Sequence, residues 1–188
     1  MRVIAGRARG YVLKKPRGNK IRPTADRVKE ALFNIIAPKI KGAVVLDLFA
    51  GTGALGIEAL SRGAAKAVFI DWYRESIKLI HANLALTGLS PRATVYRLNI
   101  HRPQSLNLLK SKGLLFNLVF LDPPYGKEIT RFTLENLAES GLLLPAGTVV
   151  VEHSPRDELP AKILTLQLGQ RRHYGDTVLS FYGKENNT

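Results

Sequence analysis

The stretch LDLFAGTGALGIEAL, residues 46–60, places three glycines directly after an apolar run. The run at 43–50 is typical of a buried parallel strand, and the residues from Ala54 to Arg62 predict a helix. Glycines between a strand and a helix let the backbone approach a ligand closely, because no Cβ stands in the way. The stretch is therefore a phosphate-binding loop, a pocket for another nucleotide-like ligand, or a tight structural turn.

The alternation of strand and helix continues along the chain. Further strands are predicted at 66–71, 93–99, 116–122 and 147–154, and further helices at 74–87 and about 127–139. Two strand-like runs around Gly175 and Asp176 predict a hairpin near the end of the chain. This order predicts an α/β domain with an open, mostly parallel sheet and helices on both faces. Ligands of such sheets bind at the carboxyl ends of the strands.

Positive charge is concentrated at the start of the chain. The 188 residues carry a net charge of +13, of which residues 1–42, with twelve Lys/Arg and two acids, contribute +10. Such a block predicts a polyanionic partner, above all nucleic acid. The alternatives are a solubilising surface or a transit peptide, although the glycines and prolines in this segment disfavour an amphipathic transit helix.

Composition excludes several other classes. There is no cysteine among the residues, so disulfides and thiolate metal sites are excluded, and a reducing compartment such as the cytoplasm is expected. The four histidines are scattered, so no metal site is expected, and His81 and His173 are interpreted as surface or packing residues. No apolar run approaches the roughly 18 residues of a membrane helix, so no membrane partner is expected.

The glycine loop and two carboxylates indicate the cofactor. The spacing G-T-G-x-x-G at 51–56, with Asp71 about 20 residues further on, fits the fingerprint for NAD, FAD or another adenosine-containing cofactor. Asp47 lies inside the strand, where a carboxylate is costly to bury without a partner. It suits a cationic ligand or the amides of the loop, but not a neighbouring pyrophosphate. S-adenosylmethionine has an ammonium, a sulfonium, a ribose and an adenine but no phosphate, and is therefore favoured.

The motif DPPY, residues 122–125, follows the fourth predicted strand. Its two prolines, Pro123 and Pro124, fix the backbone and remove two donors. The carboxylate of Asp122 and the carbonyl of Pro123 then form a group of acceptors, and Tyr125 supplies a flat face. An exocyclic amine of a nucleobase needs this combination of acceptors and a stacking surface. The alternative is a simple strand terminator.

Two levels of resemblance follow from these motifs. DLFAGTGALGIEALSRGA followed by DPPY resembles the class I S-adenosylmethionine methyltransferases that act on exocyclic amino groups. MRVIAGRARG with RPTADRVKEALFNII near the start, and YGDTVLSFY near the end, resemble the bacterial RsmD family. That resemblance implies methylation of N2 of a guanine in small-subunit (16S) ribosomal RNA, within the 30S subunit or an assembly intermediate. It also implies a Rossmann-like sheet of seven strands that ends in an antiparallel hairpin.

The resemblance assigns roles to individual residues. Asp71 would hold the ribose hydroxyls, Trp72 would lie against the adenine, and Asn99 and Ile100 would border it. Relatives usually carry an acid two residues after the ribose acid, where this chain has Tyr73, so the resemblance assigns no role to that residue. The full cofactor set is Asp47, Phe49, Ala50, Gly51, Thr52, Gly53, Asp71, Trp72, Asn99 and Ile100. The catalytic set is Asp122, Pro123, Pro124 and Tyr125.

The basic segment is expected to dock RNA. We divide the chain into a basic extension, residues 1–42, packed on the core, and a Rossmann-like methyltransferase domain, residues 43–188. The leading phosphate contacts are Arg7, Arg9, Lys14, Lys20, Arg22 and Arg27. Two alternatives remain: a DNA adenine or cytosine amino-methyltransferase, for which DPPY also serves, and a non-catalytic RNA-binding factor of ribosome assembly.

Overall fold

A computed structural model describes residues 1–16, 23–102, 104–123 and 127–184. The chain divides into two compact units, Met1–Leu98 and Asn99–Thr188. The described residues form eight β-strands and five α-helices, together with two short 3-10 turns at Ala37–Lys39 and Ser90–Arg92. In the described part of the chain, no helix is long and apolar enough to cross a membrane.

The first unit contains three parallel strands. Its elements are α1 (Pro23–Ile35), β1 (Val44–Leu48), α2 (Ala54–Ser61), β2 (Lys66–Asp71), α3 (Arg74–Thr87) and β3 (Ala93–Arg97). Within the unit, β2 lies between β1 and β3 and pairs in parallel with both. Helix α2 packs on β1 and β2, and α3 packs on β2 and β3. Because the strands are parallel, the carboxyl ends of β1 and β2 lie side by side.

Apolar burial and turn residues explain these elements. Leu46, Phe69 and Ile70 are fully buried, as expected for a parallel strand covered by helices. Helix α3 ends at Gly88, whose φ of 67° is the left-handed conformation that closes many helices. The sequence therefore predicted the type and order of the elements from β1 to β3, with boundaries within about two residues of those observed.

The residues before α1 form a hairpin on this unit. Arg2 and Val12 form an antiparallel bridge, and Val3, Ala8 and Leu13 are buried. We call residues 1–14 the N-terminal hairpin. The hairpin belongs to the same compact unit as β1–β3. The division into an extension and a separate domain at residue 42 stays a prediction.

The second unit joins a parallel strand pair to antiparallel strands. Its elements are α4 (Gln104–Ser111), β4 (Phe116–Leu121), α5 (Lys127–Ser140), β5 (Leu143–His153), β6 (Lys162–Ile163), β7 (Leu166–Tyr174) and β8 (Thr177–Lys184). Strand β4 pairs in parallel with β5, whereas β5–β8, β8–β7 and β7–β6 are antiparallel. The predicted hairpin is confirmed, with Gly175 at a φ of 59° in the turn between β7 and β8.

Two sequence-based expectations need correction. The count of seven strands is wrong, because the described residues contain eight. The additional strand is β6, which has only two residues, so no alternating pattern could reveal it. Helix α4 was also not predicted: only Leu106 and Leu109 of its eight residues are buried, so its apolar face is short.

Candidate active site

The carboxylate of Asp47 faces the start of helix α2. Asp47 lies in β1 and is almost completely buried, and its Oδ2 accepts a hydrogen bond from the backbone amide of Gly56 at 2.8 Å. Burial raises the pKa of the carboxyl to about 7; the Gly56 amide opposes this rise and the charge of Asp71 adds to it. The carboxylate thus binds a free amide in the first turn of α2, where negative charge is favoured.

The loop between β1 and α2 has a strained backbone. Phe49, Gly51 and Gly53 have φ values of 58°, 56° and 78°. The left-handed region suits the two glycines, but it costs energy at Phe49, a residue with a Cβ. The amide of Gly53 closes the turn on the carbonyl of Ala50 at 2.7 Å. Such strain, held in place by its surroundings, is typical of ligand-binding loops.

The glycines of the G-T-G-x-x-G motif have different roles. A Cβ at Gly51 would approach only the Phe49 carbonyl, at 3.9 Å, so the backbone there is open to a ligand. A Cβ at Gly56 would lie 2.3 Å from Cε1 of Phe69. Gly56 is therefore required for close packing of α2 on β2. This is the division of roles known for the dinucleotide fingerprint.

Asp71 holds the glycine loop. Its carboxylate lies at the end of β2 and is 7% exposed. Oδ2 accepts from the amide of Gly51, and Oδ1 accepts from the amide of Tyr73, both at 2.8 Å. A carboxylate oxygen can accept two hydrogen bonds, so each oxygen retains capacity for a ribose hydroxyl.

Trp72 presents an exposed ring beside Asp71. Its side chain is 46% exposed, and the guanidinium of Arg97 lies over the ring, 5.1 Å from the centroid. Nε of Arg97 also donates to the Trp72 carbonyl at 3.0 Å. A cation over one face and a bond to the backbone restrict the ring. Tyr73 is 66% exposed, and its backbone amide donates to the Asp71 carboxylate at 2.8 Å.

Two predicted cofactor residues, Asn99 and Ile100, begin the second unit. The side-chain Oδ1 of Asn99 accepts from the amide of His101 at 3.0 Å, and its carbonyl accepts from the amide of Arg102 at 3.1 Å. Ile100 is 5% exposed. These bonds define a tight turn after β3, whereas contact of either residue with an adenine stays a prediction.

The DPPY motif is described in part. Strand β4 ends at Leu121, after which Asp122 is exposed and Pro123 is half-buried. The Asp122 carboxylate therefore stands at the carboxyl end of a strand, where ligands of α/β sheets bind. Pro124 and Tyr125 lie outside the described residues, so the stacking role of Tyr125 stays a prediction.

The predicted RNA contacts that the structure describes are on the surface. Arg7, Arg9 and Lys14 are exposed on the N-terminal hairpin, and Arg27 is exposed on α1. Lys20 and Arg22 lie outside the described residues.

His81 and His173 are exposed, consistent with their interpretation as surface residues. In the described ranges, no group of three or more His, Asp or Glu side chains could hold a metal ion.

Sequence reasoning missed Glu58, which anchors the N-terminal hairpin. This fully buried carboxylate of α2 accepts from the amides of Ile4 and Ala5 at 2.8 and 3.0 Å. It also forms ion pairs with Lys29 at 3.3 Å and Arg62 at 2.8 Å. Burial lowers the pKa of the Lys29 ammonium, and the charge of Glu58 opposes that change. A glutamate within a helix is usually exposed, so the sequence carried no signal for this role.

Asn83 was also missed. It is a fully buried residue of α3, and its side-chain amide bonds to the backbone of both Lys14 and Thr52. Thr52 is part of the glycine loop, and Lys14 belongs to the N-terminal hairpin. The hairpin that carries predicted RNA contacts is therefore bonded to a residue that contacts the predicted cofactor loop.

The fold and this site define a class I S-adenosylmethionine-dependent methyltransferase. The solved structure of the Escherichia coli protein yhhF superposes with a TM-score of 0.83 at 34% identity, and covers 100% of this chain and 99% of its own. The chain belongs to the family described as conserved hypothetical protein 95, whose model matches residues 1–183. This family membership confirms the resemblance to RsmD.

Relatives of similar length support this membership. YlbH of Bacillus subtilis is 39% identical over 184 residues, which cover 98% of this chain and 99% of YlbH. Ribosomal RNA small subunit methyltransferase D of Escherichia coli is 37% identical over 185 residues, which cover 98% of this chain and 90% of that protein. The similarity therefore extends over nearly the whole chain.

Proposed function

We propose that this protein transfers a methyl group from S-adenosylmethionine to N2 of a guanine in small-subunit ribosomal RNA. The observation that carries the proposal is its 37% identity, over 98% of the chain, to the Escherichia coli small-subunit rRNA methyltransferase. The substrate is 16S RNA in the 30S subunit or an assembly intermediate, and the reaction is cytoplasmic. The described geometry of the glycine loop and of Asp122 is compatible with this chemistry.

The residues of the first unit fit the methyl donor. Asp71 would accept hydrogen bonds from two ribose hydroxyls, and the open backbone at Gly51 would let a ligand approach closely. The exposed Trp72 ring offers a flat apolar surface for an adenine. Asp47 places a carboxyl behind the loop, where its ionised form favours a cationic ligand. When bound, S-adenosylmethionine supplies an electrophilic methyl group.

Asp122 and Pro123 would act on the target amine. The lone pair of guanine N2 is delocalised into the ring, so the amine is a weak nucleophile. Hydrogen bonds from N2–H to the Asp122 carboxylate and the Pro123 carbonyl favour a pyramidal nitrogen with an available lone pair. Tyr125 is expected to stack on the base. Positioning and fixed charge of this kind supply much of the catalysis in such reactions.

The exposed cations of the N-terminal hairpin would dock the RNA. Arg7, Arg9 and Lys14 point to a phosphate-binding surface, since phosphate contacts dominate the affinity of nucleic-acid-binding proteins. The target base must leave its stack to reach a methyl donor. Phosphate contacts around the target would hold the RNA in register while the base is displaced.

Methyl transfer to defined substrates tests the proposal. Purified protein is incubated with tritiated S-adenosylmethionine and either 30S particles, naked 16S RNA or DNA, and the RNA is digested to nucleosides. We expect label in N2-methylguanosine from a small-subunit substrate. Label in DNA would support the alternative amino-methyltransferase. RNA binding without label in any substrate would support a non-catalytic assembly factor.

A further inference from the structure

One buried amide joins the N-terminal hairpin to the glycine loop. Oδ1 of Asn83 accepts from the backbone amide of Lys14 at 2.7 Å, and Nδ2 donates to the Lys14 carbonyl at 3.0 Å. Nδ2 also donates to the carbonyl of Thr52 at 2.9 Å. An asparagine side chain has two N–H donors, and here one is used on the hairpin and the other on the loop.

A second connection runs through helix α2. At the end of α2, the carbonyl of Ser61 accepts a hydrogen bond from the amide of Arg7 at 2.9 Å. The Oγ of Ser61 accepts a second one from the amide of Ala8, also at 2.9 Å. A Cβ at Gly6 would lie 1.9 Å from the Ser61 carbonyl, so the hairpin backbone is in direct contact with the helix. Gly53 of the glycine loop is the N-cap of the same helix. The hairpin therefore contacts the last residue of α2. Through Asn83 it is also bonded to the glycine loop, which precedes α2.

We propose that Asn83 is a positioning residue that couples RNA docking on the N-terminal hairpin to cofactor binding at the glycine loop. This inference rests on the proposed function. RNA that binds the Lys14 side chain restrains the Lys14 backbone, which holds the Asn83 amide in the orientation that bonds Thr52. A cofactor that fixes the loop restrains the same amide from the other side. Either ligand therefore restrains the Asn83 amide in advance, so the second ligand to bind loses less conformational entropy.

Reciprocal binding measurements test the coupling. The dissociation constant of S-adenosylhomocysteine, which cannot donate a methyl group, is measured by calorimetry without RNA and with saturating 16S RNA fragment. We expect at least about 5-fold tighter binding with RNA, the lower end of typical couplings, and the same factor for RNA affinity when S-adenosylhomocysteine is saturating. In Asn83→Ala the factor should fall to about 1. RNA affinity without cofactor should stay within about 2-fold, because the phosphate contacts are unchanged.

Thr87→Val is the matched control. The Thr87 hydroxyl is buried on the same helix and donates to the carbonyls of Asn83 at 2.8 Å and Leu84 at 3.2 Å, both within α3. Its loss perturbs α3 without removing the link, so the coupling factor should stay at the wild-type value. Equal loss of coupling in both variants would mean that general loosening of α3, and not the Asn83 link, is responsible, and would overturn the proposal.

Hydrogen exchange of the wild-type protein gives a test without substitution. RNA alone should slow exchange of the Gly51 and Gly53 amides, and S-adenosylhomocysteine alone should slow exchange in residues 2–14. Independent binding of both ligands, with unchanged exchange, would overturn the coupling and leave the proposed function intact. Absence of any RNA binding by the wild-type protein would instead overturn the RNA-docking part of the proposed function, and the coupling with it.

Discussion

The backbone amide of Gly51 donates to the carboxylate of Asp71 at 2.8 Å, across 20 residues of sequence. The carboxylate proposed to bind the ribose therefore already holds the loop that passes beside it. Its other oxygen fixes the amide of Tyr73 at the start of α3. One side chain thus organises the loop after β1 and the turn after β2, before any ligand binds. Such preorganisation reduces the ordering that binding would otherwise require.

Replacement of this carboxylate should weaken cofactor binding. Asp71→Ala removes charge-assisted hydrogen bonds worth roughly 1.5–3 kcal/mol, so affinity for S-adenosylmethionine should fall about 10- to 150-fold by calorimetry. Asp71→Asn retains one acceptor oxygen and should give an intermediate loss. Asp176→Ala, which removes an exposed acid in the β7–β8 turn, is the control and should bind as wild type. Unchanged affinity in folded Asp71→Ala would contradict the assignment.

The raised pKa of Asp47 predicts a pH-dependent stability. The carboxyl titrates near 3.8 in the unfolded chain and at about 7 in the folded protein, so between these values the folded state binds the additional proton. The contribution of Asp47 to the free energy of unfolding therefore decreases as pH rises from about 4 to about 7, by at most about 1.4 kcal/mol per pH unit. Urea denaturation of wild type and Asp47→Asn across this range isolates the effect. A difference between the two proteins that does not change with pH would refute it.

Glu58 should be critical for stability. Glu58→Gln removes the negative charge but leaves the buried Lys29 ammonium, and loss of one partner of a buried ion pair costs roughly 3–5 kcal/mol. The free energy of unfolding from urea denaturation should fall accordingly. Lys29→Met added to Glu58→Gln removes the uncompensated cation and should recover part of the loss. Lys29→Met alone completes the cycle. If the double variant loses as much unfolding free energy as the two single variants together, Glu58 and Lys29 are not coupled.

Asp122 should affect the chemical step more than RNA binding. Asp122→Ala should lower kcat by on the order of 10²–10³, by analogy with loss of one preorganised hydrogen-bonding partner. Asp122→Asn keeps an acceptor oxygen and should retain activity above the alanine variant. Single-turnover methyl transfer with saturating cofactor and RNA measures both. A wild-type rate in Asp122→Ala would exclude the DPPY carboxylate from the mechanism.

The N-terminal hairpin should determine the salt dependence of RNA binding. If Arg7, Arg9 and Lys14 each contact a phosphate, their joint replacement by alanine should lower the slope of log affinity against log salt by roughly 2–3. Cofactor affinity without RNA should stay close to wild type. The control is the joint replacement by alanine of three lysines that are exposed outside the hairpin, Lys66, Lys78 and Lys110. This control removes the same amount of positive charge. Equal slopes for hairpin variant and wild type would place the RNA surface elsewhere.

Local patterns predicted most of the fold. The apolar runs of β1 and β2, the helical spacing of α3 and the turn at Gly175 are each visible over fewer than 15 residues, and each formed as expected. Strand β6 was missed because two residues are too few to show the alternation of apolar and polar side chains that is typical of a strand. It forms only where Lys162 and Ile163 meet β7, which is a tertiary contact.

The site was predictable where a motif determines it. Asp47 was expected to suit a cationic ligand or the amides of the loop, and it accepts a hydrogen bond from the amide of Gly56. Glu58 and Asn83 could not be found in the same way, because a polar residue within a helix is expected to face solvent. Both are buried and bond to residues 1–14, which fold back over α2 and α3. Their roles depend on contacts 53 to 69 residues distant in sequence, and no local pattern records such contacts.

These long separations order the events of biosynthesis. The N-terminal hairpin is translated before its partners, and a two-stranded hairpin alone is only marginally stable in water. Its partners Glu58 and Ser61 are made about fifty residues later, and Asn83 is 69 residues after Lys14. A nascent chain therefore exposes this cationic segment well before it has the helices that fix the segment in place. Docking of the hairpin is a late event that waits for the translation of α3.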